Sequence, residues 1–257
     1  MSKRHGTPIW YELLSQDPQA ARRFYGAVVG WNIDESPPPD MTMDYRMVAA
    51  ADGLVGGVFT LSAEMRQNGA QPCWLMYIGV DDVDASVAAI GASGGSVMVP
   101  AFDIPDVGRM AMLTDPQGAA FYVMRGTSDD ESTACNPDLP GHGAWHELHA
   151  TDGPKATAFY MAQFGWTLST AMDMGPMGVY QLFNIGERNL GGIMSDVQFP
   201  RPAWLVYFRV DGIERAAARI VEAGGKVVNG PMEVPGGGWI VAGLDTEGAM
   251  FALTGTR

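Results

Sequence analysis

The segment FYGAVVGW at residues 24–31 recurs as FYMAQFGW at residues 159–166, so that the two copies lie 135 residues apart. The surrounding sequence keeps this spacing from Trp10/Trp145 to Gly57/Gly192, and the spacing is 130 from Trp74/Trp204 onward. One deletion of five residues therefore separates two colinear halves, which is the signature of an internal repeat. Pairs that carry the match are Trp10/Trp145, Glu12/Glu147, Gly57/Gly192, Tyr77/Tyr207 and Asp115/Asp245.

A polar segment, GTSDDESTACNPDLPGHG, joins the halves. It is rich in proline and glycine and almost free of large apolar side chains, which is typical of a linker. We therefore expect one domain at 6–126, a linker at 127–142 and a second domain at 143–256.

Each half contains the same series of short elements. PIWYELL predicts a strand, and Asp17 followed by Pro18 predicts the start of a helix, because these residues favour the N-cap and first helical positions. Gly30 ends that helix, and about three strands follow before the series repeats within the half. The chain is thus an α+β protein of four βαβββ units, with the repeated aromatic pair Phe24 and Tyr25 packing the helix on a curved mixed sheet.

Composition excludes several classes of partner. The 257-residue chain carries a net charge of −13, so we expect neither nucleic acid nor an anionic membrane as a partner. Cys73 and Cys135 occupy unrelated positions in the two halves, which indicates free thiols in a reducing cytoplasm. Hydrophobic residues make up 47% of the chain and allow a substantial core.

The combination of a strand, D-P-x-x-A-x-x-F-Y, G-W, and later V-D-D and D-P-Q-G-A resembles the vicinal oxygen chelate superfamily of glyoxalases, bleomycin-resistance proteins and extradiol dioxygenases. The resemblance covers nearly all of both halves, and VMVPAFDIPDVGRMAMLTDPQGAAF at residues 97–121 further resembles two-repeat proteins related to lactoylglutathione lyase. It implies two tandem glyoxalase-like domains, each with paired βαβββ units around a concave face. This superfamily contains both enzymes and binding proteins, so the fold alone does not determine the activity.

Metal-dependent members of the superfamily hold a divalent ion with histidine, glutamate or glutamine at four positions in each half. We located these positions by counting from the flanking motifs. None of them carries a histidine, aspartate or glutamate, and we expect neither a metal nor another cofactor. The eight positions are Trp10, Val58, Leu75 and Tyr122 in the first half and Trp145, Ile193, Leu205 and Ala252 in the second.

Strand periodicity gives a second set of candidates. Residues two apart on a strand project to the same face, so Glu147 and His149 lie together on the concave side, whereas His146 projects to the other face. Joint ligation of a metal by His146 and His149 is therefore disfavoured. Glu147 and His149 are the candidate catalytic residues, because the imidazole titrates near neutral pH and the first half has Leu14 in its place.

The remaining candidates would contact a small-molecule ligand, since apolar and aromatic walls with a few polar groups are usual in such sites. A structural role stays open for each of them, because a buried glutamate or tyrosine can simply satisfy neighbouring hydrogen bonds. The candidates are Trp145 and Tyr207 in the second half and Trp10, Glu12, Tyr77 and Arg109 in the first.

Two classes of function remain. The first is a metal-independent lyase or isomerase that acts on a small carbonyl compound through Glu147 or His149. The second is a binding protein that sequesters a small molecule or antibiotic without turnover. In either class one chain carries both halves, so we expect a monomer with pseudo-two-fold symmetry or a homodimer.

Overall fold

The chain is represented by a computed structural model, which describes residues 5–39, 43–128, 130–196, 199 and 201–257. The elements of the first half alternate as expected from the repeat. The strands are β1 (Pro8–Ser15), β2 (Asn32–Ile33), β3 (Tyr45–Ala50), β4 (Gly53–Thr60), β5 (Cys73–Gly79), β6 (Ser96–Ile104), β7 (Gly108–Thr114) and β8 (Ala120–Gly126). The helices are α1 (Pro18–Val28), α2 (Ala63–Gln67) and α3 (Val83–Ala92).

The second half repeats this order, with a connection of seven residues between β12 and β13 where the first half has twelve residues that include α2. Its strands are β9 (Gly143–Ala150), β10 (Thr167–Asp173), β11 (Val179–Ile185), β12 (Arg188–Ser195), β13 (Ala203–Val210), β14 (Lys226–Glu233), β15 (Trp239–Leu244) and β16 (Met250–Gly255). Its helices are α4 (Gly153–Phe164) and α5 (Ile213–Glu222), with a 3-10 turn at Gly175–Met177.

The start and end of α1 show why the sequence folds in this way. The carboxylate of Asp17 accepts hydrogen bonds from the backbone N–H groups of Gln19 and Ala20, both at 3.0 Å, and Pro18 occupies the first helical position. Gly30 follows the helix with a φ of +91°, a conformation that glycine adopts without strain. The predicted helix and its boundaries are therefore confirmed.

The strands form two mixed sheets of eight strands each. The order is β2-β3-β4-β1-β5-β8-β7-β6 in the first and β10-β11-β12-β9-β13-β16-β15-β14 in the second. Parallel pairing joins β1 to β4, β5 to β8, β9 to β12 and β13 to β16, and the hairpins between consecutive strands are antiparallel. This arrangement confirms the α+β class and the four βαβββ units.

The chain divides into two compact units, each of which combines one βαβββ segment from either half. Unit 1 comprises Met1–Ile9, Met76–Ser132 and His146–Leu205, and unit 2 comprises Trp10–Leu75, Thr133–Trp145 and Val206–Arg257. The domain boundaries inferred from the linker stay a prediction from the sequence.

The repeated aromatic motif forms the core of unit 2. The hydroxyl of Tyr25 donates a hydrogen bond to the Asp245 carboxylate at 3.0 Å, and the indole of Trp74 donates to the Tyr25 oxygen at 2.8 Å. Trp31 and Phe208 pack around this group with ring centroids 4.7 Å apart. The motif therefore packs the core, as its sequence predicts. Asp245 supplies the hydrogen-bond partner that the buried Tyr25 hydroxyl needs.

Unit 1 repeats the same arrangement with the equivalent residues. Tyr160 donates to Asp115 at 3.2 Å, and Trp204 donates to Tyr160 at 3.0 Å. Burial raises the pKa of the Asp115 carboxyl, although the backbone N–H groups of Ala119 and Gln117 oppose the rise. The two repeated sequence motifs, the F-Y pair and the D-P-Q-G turn, are thus connected by a buried series of hydrogen bonds.

No helix in the part of the chain that the structure describes is long and apolar enough to span a membrane.

Candidate functional site

The face of unit 1 formed by β9, β11 and β12 brings Glu147 and His149 together. β12 lies parallel to β9 and places Gly192 opposite Glu147 and Met194 opposite His149. The side chains of Glu147 and His149 converge, with Nε2 of the imidazole 3.0 Å from Oε1 of the carboxylate. This contact has the distance of an ion pair but lacks the alignment of a good hydrogen bond. The periodicity argument therefore placed these two side chains on one face correctly.

The second imidazole nitrogen of His149 has a partner that the sequence did not indicate. Nδ1 lies 3.0 Å from Oδ2 of Asp196, the residue that follows β12. The ring of Phe199 stacks on the imidazole with a centroid separation of 4.1 Å and an interplanar angle of 11°. His149 is consequently held between two carboxylates and against one aromatic ring.

Tyr180 completes the polar cluster from β11. Its hydroxyl donates a hydrogen bond to Oε2 of Glu147 at 2.9 Å. The Tyr180 ring occupies the space that the β-carbon of any other residue at position 192 would need. Only glycine at position 192 therefore leaves room for this ring. The repeat contains the signal that would have found this residue, because Tyr45 and Tyr180 are both tyrosine at the 135-residue spacing.

Opposing influences act on the proton affinity of His149. Burial, the largest single influence, lowers the pKa, whereas Glu147 and then Asp196 raise it through hydrogen bonding and charge. The carboxylates together outweigh the burial, and the pKa of His149 lies above its usual value. Protonation of His149 is thus easier than for a free imidazole, and a carboxylate lies beside each of its nitrogens.

His146 behaves in the opposite way, as expected for a side chain on the other face of β9. Its ring is buried, and Nδ1 lies 3.0 Å from the carbonyl oxygen of Leu190. Burial lowers the pKa of His146 to about 4, a shift that the Leu190 contact only partly opposes. His146 is therefore a neutral core residue at physiological pH, separate from the Glu147 cluster.

The equivalent face in the first half lies in unit 2 and is less polar. The indole of Trp10 donates to the hydroxyl of Tyr45 at 2.7 Å, and Gly57 leaves room for the Tyr45 ring as Gly192 does for Tyr180. Glu12 is buried on the same strand, at 4% exposure. Leu14 stands where the second half has His149, so this face has no imidazole at the equivalent position.

The other predicted ligand-contacting residues are distributed over both units. In unit 1, Tyr77 stacks on Tyr122 with ring centroids 4.2 Å apart and an interplanar angle of 8°. In unit 2, Tyr207 is buried on β13, and Trp145 is half-buried near the start of β9. Their part in ligand binding stays a prediction.

Arg109 is engaged in ion pairs at the surface of unit 1. Its guanidinium contacts Asp84 at 2.8 Å and Asp103 at 2.9 Å, and these carboxylates raise the pKa of Arg109 further. A ligand that used Arg109 would have to compete with two aspartates that already neutralise it.

The positions where the superfamily holds its metal do not offer a fitting donor set. Val58 and Ile193 are fully buried core side chains, and Leu75 and Leu205 are each 5% exposed. The indole of Trp10 is committed to Tyr45, and the ring of Tyr122 is stacked. Hydrocarbon and indole side chains provide no lone pair suited to a divalent cation. Within the described ranges, no group of three or more histidine, cysteine, aspartate or glutamate side chains is arranged to hold a metal ion.

Comparison with protein families agrees with the fold and with the motifs. Residues 8–123 match the glyoxalase/bleomycin resistance protein/dioxygenase superfamily, and residues 144–181 match the bleomycin resistance protein-like N-terminal family. Together with the full-length relatives described next, these matches show that the chain belongs to the glyoxalase/bleomycin resistance protein/dioxygenase superfamily.

Two relatives that align with nearly the whole chain have names that refer to different functions. CFP32 of Mycobacterium bovis, which its name describes provisionally as a glyoxylase, is 37% identical over 97% of this chain and 95% of its own length. The anthracycline biosynthesis protein DnrV of Streptomyces peucetius is 32% identical over 98% of this chain and 94% of its own length.

Solved structures with the same fold are more distant in sequence. The 2,3-dioxygenase LapB from Pseudomonas sp. KL28 superimposes with a TM-score of 0.67 at 12% identity, covering 98% of this chain and 93% of that one. The Mn(II)-bound glyoxalase from Novosphingobium aromaticivorans gives 0.65 at 16% identity, with 98% and 82% covered. These likenesses establish the fold.

Proposed function

We propose that the chain binds a small carbonyl compound at the Glu147–His149–Tyr180 face of unit 1 and catalyses proton transfer on it without a metal. The observation that carries this proposal is the position of the Glu147 carboxylate, which lies between the Tyr180 hydroxyl and the His149 ring at 2.9 and 3.0 Å. A carboxylate held in this way, with its side chain 15% exposed, is oriented for a general base.

The proposed step is the removal of a proton from the carbon next to a carbonyl group. The C–H bond breaks, the proton passes to Glu147, and the electron pair moves onto the carbonyl oxygen as an enolate. In an α-hydroxy carbonyl compound, return of the proton to the former carbonyl carbon, with transfer of the hydroxyl proton to the enolate oxygen, gives the isomeric α-hydroxy carbonyl compound. In a compound with a leaving group on the β-carbon, the enolate carbonyl re-forms, the leaving group departs with its electron pair, and an α,β-unsaturated product results. The Tyr180 hydroxyl and the positive charge of His149 favour the anionic enolate, which is the electrostatic part of the catalysis.

Names of relatives support the choice of substrate class. The M. bovis relative is described as a glyoxylase, and a fold neighbour is a glyoxalase, both of which concern small carbonyl chemistry. The side chains at the superfamily's metal positions are not suited to bind a divalent cation. This favours acid–base catalysis by Glu147 and His149 over metal-assisted catalysis.

The exchange of the α-proton for deuterium tests the proposal even where no net product forms. Small α-hydroxyketones, 1,2-dicarbonyl compounds and aromatic ketones would be incubated in D2O with the protein, and loss of the α-proton signal followed by NMR. We expect catalysed exchange with at least one class, and a decrease of about 100-fold in Glu147→Gln. Glu12→Gln is the matched control, because it makes the same change at the equivalent position of the first half. A loss of exchange in Glu12→Gln but not in Glu147→Gln would overturn the proposal.

A second candidate function is binding without turnover. The aromatic surfaces of Tyr180 and Phe199 beside the cluster favour it, because flat aromatic ligands stack on such rings. The family name mentions bleomycin resistance, and one relative is named for anthracycline biosynthesis. Calorimetry with an anthracycline and with bleomycin decides between the candidates, since a pure binder holds its ligand equally well in Glu147→Gln and shows no proton exchange.

The compartment and the assembly belong to the same proposal. Cys73 and Cys135 carry thiols rather than a disulfide, which supports a reducing compartment such as the cytoplasm. We propose that the chain acts as a monomer or a homodimer, and light scattering at working concentration distinguishes the two.

A further inference from the structure

The two halves differ in length at one place, and this difference changes the surroundings of His149. Twelve residues connect β4 to β5 and include α2, whereas seven connect β12 to β13. The five-residue deletion seen in the repeat therefore falls in the second connection. Asp196 is the first residue of this shorter connection, and Phe199 lies three residues further on.

Backbone contacts show which residues correspond across this difference. In the first half the N–H of Leu61 donates to the carbonyl of Ser15 at 2.8 Å, and in the second half the N–H of Asp196 donates to that of Ala150 at 2.8 Å. Leu61 and Asp196 thus occupy the same position, as do Leu14 and His149. An apolar pair in one half is replaced by an imidazole and a carboxylate in the other.

Asp196 is itself held in place before it reaches His149. Its backbone N–H is bonded to Ala150, and its Oδ1 accepts the N–H of Phe199 at 3.2 Å. The other oxygen, Oδ2, then lies 3.0 Å from Nδ1 of His149. Because the hydrogen bond from the Phe199 N–H fixes Oδ1 of Asp196, Oδ2 is kept facing the imidazole and does not rotate into solvent.

Phe199 restricts the remaining motion of the imidazole. Its ring lies nearly parallel to that of His149, at 4.1 Å and 11°. A carboxylate at Nδ1 fixes the direction of the ring, and a parallel aromatic surface prevents its rotation out of that plane. Nε2 is consequently held 3.0 Å from Oε1 of Glu147.

From these contacts we propose that Asp196 and Phe199 are positioning residues, which hold His149 as an imidazolium whose Nε2–H is presented to Glu147. The proposal rests on the proposed function for the role of Glu147, but the orientation and protonation of His149 can be measured without any ligand. The groups whose charge acts on His149 are Glu147 on its own strand and Asp196 beyond β12.

The test is NMR of the full chain labelled with ¹⁵N, in which the two imidazole nitrogens of His149 are followed through a pH titration. Asp196→Asn keeps a carbonyl oxygen that can accept the Phe199 N–H but removes the negative charge. We expect the pKa of His149 to fall by about 1 unit in this variant. Asp173→Asn is the control, because Asp173 is an exposed aspartate of the same unit whose carboxylate accepts the N–H of Gly175.

Phe199→Leu tests the second positioning residue. We expect the imidazole N–H protons of His149 to exchange faster with water as the ring gains motion, while the charge of Asp196 still holds the pKa above that of the Asn variant. A pKa of His149 that is the same in Asp196→Asn and in the unaltered chain would overturn the role of Asp196. Unchanged exchange of the His149 N–H protons in Phe199→Leu would overturn the role of Phe199.

The α-proton exchange assay separates this inference from the proposed function. If Asp196 positions His149 for catalysis, Asp196→Asn shifts the pH profile of exchange towards lower pH, in step with the pKa. If the NMR titration responds as expected but no carbonyl compound exchanges its proton in any variant, the positioning role stands and the proposed reaction fails.

Discussion

Replacement of the His149–Asp196 pair by the residues of the first half gives a quantitative test of the cluster. His149→Leu copies Leu14, and Asp196→Leu copies Leu61. His149→Leu alone leaves two carboxylates without the imidazolium that neutralises them. Loss of one partner of a fully buried ion pair costs about 3–5 kcal/mol, but side-chain exposures of 10% for His149, 15% for Glu147 and 25% for Asp196 reduce this. We expect the free energy of unfolding to fall by about 2 kcal/mol.

The double substitution should cost less than the sum of its parts. Asp196→Leu alone leaves His149 with Glu147 and should cost about 1 kcal/mol, because one of two carboxylate partners remains. With both residues changed, an apolar pair like that of the first half forms, and we expect a total loss of about 1 kcal/mol. The interaction energy is then about 2 kcal/mol, well above the scatter of independent sites.

Urea unfolding followed by circular dichroism and tryptophan fluorescence measures all three variants. Additive losses, with a total of about 3 kcal/mol in the double variant, would show that His149 and Asp196 do not act as a pair. The pH dependence provides a further check. A raised folded-state pKa means that the contribution of His149 is fully present below its unfolded pKa of about 6.5 and is lost as the pH rises through the folded value. The cost of His149→Leu should therefore shrink in alkaline buffer.

Three further predictions concern other parts of the chain. Burial lowers the pKa of His146 to about 4, so the free energy of unfolding should fall as the pH drops below about 6.5, by about 3 kcal/mol once His146 is protonated. His146→Gln should remove this part of the acid sensitivity, as measured by urea titrations at several pH values. Gly192→Ala should displace the ring of Tyr180 and reduce the rate of α-proton exchange at least about tenfold. The equivalent Gly57→Ala should displace the ring of Tyr45 and leave the exchange rate unchanged. Equal losses of exchange in both variants would contradict the assignment of the active face to unit 1. Elemental analysis of protein purified without added metal should find no stoichiometric transition metal, and a tightly bound ion that survives dialysis would refute this.

The fold was largely predictable because the repeat fixes which elements recur. Asp17 and Pro18 define the start of α1, and Gly30 follows its end, as the sequence predicts. The short helix α2 was not predicted, since five residues give little periodicity and its N-cap, Ser62, is also common in turns. The composition of the two compact units could not be read from the sequence, because pairing between distant segments depends on tertiary contacts such as Tyr25 with Asp245.

The candidate site was only partly predictable. Strand periodicity placed Glu147 and His149 together, because residues two apart share a face. Asp196 and Phe199 were missed, since they belong to a connection whose path no periodicity describes. Tyr180 could have been found from its match with Tyr45, but a tyrosine on a strand gives no sign of its partner until the neighbouring strand is placed.

A crystal structure of the protein with the ligand that it retains from the cell, or with a ketone selected by the exchange assay, tests the central claim most directly. The account predicts density on the face of β9, β11 and β12, with an oxygen or α-carbon of the ligand within hydrogen-bond or contact distance of the Glu147 carboxylate and with His149 still paired to Asp196. Density against the Tyr77–Tyr122 stack or beside Glu12, with the face at Glu147 holding only water, would contradict it.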